Sequence, residues 1–124
     1  MSTKKKWNIL FIKDAKSMFD VNTSKFSLLF NQVDIVVSRE EALNFFNKNQ
    51  YDIVIGDISV EPESVALLKQ LKDMQAEQTI FALVASKDRD KLFSIADIGI
   101  NAFELSLVQF DQALETIAQF NPYE

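Results

Sequence analysis

Apolar residues fall into five short runs along the chain, separated by stretches in which apolar and polar positions follow helical spacing. The runs are Trp7–Ile12, Val33–Val37, Tyr51–Asp57, Thr79–Ala85 and Ala102–Leu105. Each is short and rich in β-branched or aromatic residues, so each is predicted to be a strand. The third run carries Ile53-Val54-Ile55 at its centre and closes on Gly56 and Asp57. A short apolar run bounded in this way reads as a strand buried on both faces, at the middle of a parallel sheet. The fourth run is continuously apolar from Ile80 and reads as buried too.

Helical spacing fills the intervals. Ala15 to about Phe30 is predicted helical, with Met18, Phe19, Phe26, Leu29 and Phe30 inward; Asn22-Thr23-Ser24 is its weak point, because short polar side chains compete for the backbone. Ser38-Arg39-Glu40-Glu41 is a capping box: the Ser38 hydroxyl accepts from the amide three residues on, while Glu41 reaches back. The helix it opens runs to about Asn49, with Ala42, Leu43, Phe45 and Phe46 inside. A loop over residues 58–61 precedes Pro62, which suits a first helical position, and Glu63, which suits the positive helix start. That helix runs to about Gln75 on Val65, Leu68 and Leu71. Ser86 or Asp88 caps a fourth helix to about Ile98, and Gly99 fits the left-handed residue that ends it. Phe110 to about Phe120 is the last helix, with Phe110, Ala113, Leu114 and Ile117 inward.

Five strands alternating with five helices imply parallel pairing with helices on both faces. The predicted fold is α/β, a flavodoxin-like (βα)5 three-layer sandwich with strand order 2-1-3-4-5. In that order strands 1 and 3 are neighbours, so Lys13 and Asp14 come to lie beside Asp57. The ligand crevice of such sheets lies at the carboxyl ends of the strands. Asp57 at that end is either a turn residue or the focus of a site.

Composition narrows the chemistry. The 124 residues fit one domain, with a core from about residue 7 to 120, and 48% of them are hydrophobic. No apolar run approaches the ~20 residues that cross a bilayer, and no signal-peptide pattern is present. With no cysteine and no histidine, thiolate and disulfide chemistry, phosphohistidine and the commonest general base are excluded. The formal net charge of −5 disfavours nucleic acid and anionic membrane as partners. The 2 glycines leave no Gly-rich phosphate loop. Cysteine usage agrees with a cytoplasmic home.

The stretches Ile9-Leu10-Phe11-Ile12-Lys13-Asp14, Ser38 to Phe46, Tyr51 to Ser59, Leu83-Val84-Ala85 and Gly99-Ile100-Asn101-Ala102-Phe103 together resemble the receiver domain of bacterial two-component response regulators, the CheY-like family. The likeness runs from Trp7 to about Phe120. It implies that Asp57 occupies the position that accepts a phosphoryl group from a sensor histidine kinase in a phosphorelay. It also implies Mg²⁺ ligands at Asp14, Asp57 and the Ser59 carbonyl, and a switch aromatic at Phe103.

The sequence departs from the family at the chemical positions. Lys13 stands where the first of two strand-1 acids is usual, Val84 where Thr or Ser is usual, and Ser106-Leu107 where Lys-Pro is usual. Mg²⁺ prefers oxygen ligands with one or two carboxylates, and Lys13 brings an ammonium instead. That ammonium either serves as an internal counter-ion for Asp57 or points to solvent. Val84 and Ser106 remove two stabilisers of an acyl phosphate, each worth on the order of 2–4 kcal/mol by analogy with an oxyanion donor. Lys13 or Lys87 is a candidate substitute for the lost stabilisers, and Glu61 a candidate to reach a metal. With Val84 apolar, Phe103 reads as a packed aromatic. Asp88-Arg89-Asp90-Lys91 reads as a solvated face, with a partner contact as the alternative.

The expectation is therefore a degenerate receiver, or pseudo-receiver. It would be a non-enzymatic signalling domain that works through protein contacts, with Mg²⁺ binding and phosphorylation weak or absent. Expected partners are a fused or separate output domain and a sensor kinase. Leu92, Phe93 and Ile95 exceed one inner stripe of the fourth helix. With the family's use of the fourth helix, fifth strand and fifth helix, they suggest a homodimer face there. Asn121 to Glu124, broken by Pro122, fit the start of a linker. The alternatives are a working phospho-acceptor that uses Asp57 with Mg²⁺, and an unrelated flavodoxin-like binding or scaffold module.

Overall fold

The structure is a computed structural model that describes residues 7–13, 26, 28–57, 62–85, 99–105 and 110–120. Its elements are β1 (Asn8–Lys13), β2 (Gln32–Val36), α1 (Arg39–Lys48), β3 (Ile53–Asp57), α2 (Pro62–Met74), β4 (Thr79–Ala85), β5 (Asn101–Leu105) and α3 (Phe110–Gln119). The strands form one parallel sheet in the order β2-β1-β3-β4-β5. This is the predicted topology, and β3 is its central strand.

Strand alternation sends each strand's side chains to two faces, and two separate apolar clusters result. Leu10, Ile12, Val54, Ile80, Ala82 and Val84 pack with Ala42 and Phe46 of α1 and with Leu67, Leu68 and Leu71 of α2. Ile9, Phe11, Ile53, Ile55, Phe81 and Leu83 pack with Phe26, Phe30 and the Ala113, Leu114 and Ile117 stripe of α3. Ile53, Val54 and Ile55 are fully buried, as expected for a strand covered on both sides. The edge strand β2 exposes Ile35. Phe11 lies 5.0 Å from Phe26 between ring centroids, and Phe81 meets Phe120 edge-on at 5.3 Å.

Local signals hold at several ends. Glu41 N donates to Ser38 Oγ at 3.1 Å, and the Glu41 carboxylate accepts from the Val37 amide at 3.3 Å. The box therefore reaches back one residue beyond the cap itself. α2 starts at Pro62, and Gly99 has φ +77°, a left-handed conformation that costs an L side chain energy.

Four strands differ in their bounds from the sequence expectation, β5 only by starting at Asn101 rather than Ala102. β1 begins at Asn8 and continues through Lys13 rather than stopping at Ile12. β2 is Gln32–Val36, because Val37 is drawn into the capping box. β3 begins at Ile53, since Tyr51 and Asp52 use their side chains to tie neighbouring elements together. Leu67 joins the core beside the expected Leu68 and Leu71. Of the predicted first helix, Phe26, Leu28 and Leu29 are described as helical, and Phe30 lies just past its end. The predicted fourth helix and the linker at residues 121–124 lie outside the described residues.

Candidate functional site

β1 and β3 end together. Lys13 is the register partner of Asp57, Asp57 of Leu83, and Leu83 of Phe103. Paired residues of a parallel sheet lie about 4.8 Å apart across the ladder. The last rung of the central sheet thus reads lysine, aspartate, leucine, phenylalanine. By alternation its Lys13 and Leu83 fall on the face of Ile9, Phe11, Ile53 and Ile55, the side covered by α3. Lys13 is half-buried and Leu83 fully buried. Position 57 therefore has an ammonium-bearing neighbour on one side and a hydrocarbon neighbour on the other.

Val84 lies one residue beyond this rung and is 1% exposed. It belongs to the opposite cluster, among Ile12, Ala82, Leu67 and Leu71. Val84 is thus packed in hydrocarbon.

Three of the expected site residues, Asp14, Ser59 and Ser106, lie outside the described residues, as do Glu61, Lys87, 88–91, Leu92, Phe93 and Ile95. Phe103 is placed in β5 by its register alone. Among the described residues no group of three acidic, histidine or cysteine side chains could hold a metal ion. Among the described residues the ends of β1 and β3 bring together one carboxylate position, Asp57, and Lys13, whereas Mg²⁺ takes an oxygen-rich shell.

The opposite end of the sheet holds interactions that sequence reasoning missed. The Tyr51 hydroxyl donates to Asp34 Oδ2 at 2.7 Å. Burial, then the hydrogen bond and charge of Asp34, push the phenol well above its ordinary 10.0; a hydrogen bond with Asn49 opposes the shift. The Asn8 amide donates to Asp52 Oδ2 at 2.7 Å, and Asn31 Nδ2 to Asn8 Oδ1 at 2.7 Å. Gln78 is buried; its side-chain amide donates to the carbonyls of Tyr51, Asp52 and Thr79 at 3.2–3.4 Å. The Lys72 ammonium donates to the Gln78 carbonyl at 2.9 Å. A small cavity of ≈ 210 Å³ opens here, between Tyr51-Asp52 and Gln78-Thr79. It lies at the amino ends of β3 and β4, away from Asp57. Gln78 could have been suspected from its place directly before an apolar strand; Asp34 carried no such signal.

No family model matches the chain. No curated protein matches it either. Solved structures do. The BeF3-activated DrrB receiver domain superposes with a TM-score of 0.69 at 16% identity, covering 91% of this chain and 94% of that one. The fold is that of response regulator receiver domains. The response regulator TrrA from Thermotoga maritima, solved in complex with Mg²⁺-BeF, gives 0.62 at 18% identity over 89% of this chain and 95% of that one. A response regulator receiver domain from Clostridium thermocellum gives 0.65 at 18% identity, over 90% and 93%. At such identities the likeness establishes architecture, and function has to be argued from this chain's own residues. Among the described residues no helix is long and apolar enough to cross a membrane.

Proposed function

We propose that this chain is a receiver-like signal-transduction domain that acts through protein contacts, without enzymatic turnover and with weak or absent phosphorylation at Asp57. The observation that carries this reading is the last rung of the sheet. Asp57 ends the central strand at the carboxyl edge of the sheet, the position read as the phospho-acceptor's, and its lateral partners are Lys13 and Leu83. Phosphoryl transfer depends on neutralising charge over the transferring oxygens with placed donors and cations. The buried Val84 has no hydroxyl to offer, and Ser106 is uncharged. Its partners are an output domain, fused or separate, and any dimer would use the face of the fourth helix, β5 and α3.

The test is exposure to beryllofluoride with Mg²⁺, followed by amide NMR, and to acetyl phosphate, followed by intact-mass measurement. The expected result is unchanged amide shifts at the ends of β1, β3 and β4 and no added phosphate mass. A saturable adduct abolished by Asp57→Asn would replace this reading with that of a working phospho-acceptor. That second reading draws on the retained Asp57 and on the beryllofluoride complexes recorded for DrrB and TrrA.

A further inference from the structure

We infer that Lys13 is a tethered cation that occupies the role of a divalent metal at Asp57, so that the pocket carries its counter-ion within the chain. The inference deepens the receiver-like reading and rests on it for the importance of Asp57, but not for the ion pair itself.

Three observations converge. First, β1 extends through Lys13, which makes this lysine a rung of the ladder rather than a loop residue. A lysine in a loop has many directions open to it, whereas one in a strand shares its face with its register partner. That partner is Asp57. Second, Lys13 is half-buried. A partly desolvated ammonium is costly unless a carboxylate compensates it, and position 57 lies one strand spacing away, about 4.8 Å. Third, the other neighbour of Asp57 is the fully buried Leu83, a hydrocarbon side chain with no donor to offer an adjacent carboxylate. Within this rung, Lys13 is the residue with a charge to compensate Asp57.

The consequence is a change in what the pocket binds. In bulk water one unit-charge pair at about 5 Å amounts to roughly a fourfold factor in an equilibrium constant. Replacing Lys13 by a carboxylate changes the local charge by two units, and Mg²⁺ carries two, so the factor compounds four times to about 10²-fold. Salt reduces it. The ammonium thus lowers the affinity of the pocket for Mg²⁺.

The experiment titrates MgCl2 into the whole chain at fixed ionic strength and follows amide shifts at the ends of β1 and β3. Wild type, Lys13→Met, Lys13→Asp and Lys13→Asp/Asp57→Asn are compared, each first shown folded by its amide spectrum. Lys13→Asp is expected to bind Mg²⁺ about 10²-fold more tightly than wild type, Lys13→Met about tenfold, and the double variant to lose most of the gain. Wild-type binding equal to that of Lys13→Asp or Lys13→Met would overturn the inference. If Lys13→Asp fails to fold, the Lys13→Met comparison decides alone. The beryllofluoride result is read separately: a wild-type adduct would sink the proposed function, while this metal titration judges the counter-ion.

Discussion

Replacing Val84 by Thr restores the hydroxyl that a receiver site would use, and the structure says it will destabilise the domain instead. Val84 is 1% exposed, and its cluster is built from Ile12, Ala82, Leu67, Leu71 and other hydrocarbon side chains. Thr matches Val in shape, so little cavity or strain arises. One methyl is exchanged for a hydroxyl that finds no acceptor in an apolar layer. Burying such a group unpaired costs about 1–3 kcal/mol, and the lost methyl burial adds about 0.8 kcal/mol. A total of about 2–4 kcal/mol follows, which for a domain of this size lowers Tm by roughly 8–15 °C. Urea unfolding followed by circular dichroism is the assay, with the slope m unchanged because the same surface is exposed on unfolding. Val84→Ala serves as control: it loses burial without adding a polar atom and should cost about 1–3 kcal/mol. A Val84→Thr protein within about 0.5 kcal/mol of wild type would refute the reasoning. The end of β4 would then be open enough to hydrate a hydroxyl, as a phospho-switch needs. Because Lys13 remains, Val84→Thr is also expected to gain no beryllofluoride adduct.

Leu71 is fully buried in the same layer, so Leu71→Ala should cost about 2–5 kcal/mol in urea unfolding; a cost below ~1 kcal/mol would mean that α2 does not seal this face. Gly99 sits at φ +77° with the nearest foreign atom, Lys72 Cε, 3.7 Å from where a Cβ would lie, so Gly99→Ala should lose about 1 kcal/mol through backbone strain rather than collision, and equal Tm values would contradict it. Tyr51 has a folded-state pKa raised by burial and by Asp34. Below the ordinary value of 10.0 both folded and unfolded chains keep the proton, and the stabilisation is intact. Above it the unfolded chain ionises first, and stability falls as pH rises. Tyr51→Phe should flatten that alkaline decline relative to wild type in pH-dependent urea unfolding; identical slopes would remove Tyr51 as its cause.

Much of the fold was legible because it rests on local regularities. Ser38 and Glu41 mark a helix start through hydrogen bonds made within four residues, Pro62 marks another, and Gly99 a stop. The strand order follows from alternation of elements together with connection rules that hold for any right-handed crossover. Strand limits were less legible because side chains compete with the ladder. Tyr51 and Asp52 look like strand residues by propensity, yet Tyr51 reaches Asp34 and Asp52 takes the Asn8 amide. Those partners lie 17 and 44 residues away, at distances no window of sequence spans.

The site shows the same division. Asp57 stands out because Gly56-Asp57 ends an apolar run at the carboxyl edge of a central strand, and that is a local statement. Its neighbours are not local: Lys13 and Leu83 belong to other strands, and which residues meet depends on the register of three segments. Sequence alone allowed Lys13 to be either a solvated loop residue or a counter-ion, since both begin with a lysine after an apolar run. The added residue of β1 favours the counter-ion we infer, because it moves Lys13 from the loop into the ladder. From there the electrostatics has a direction. A lysine anchored one strand spacing from Asp57 favours the inferred pocket with its own cation over one that waits for a metal, and the outward message of such a domain would come from its surface.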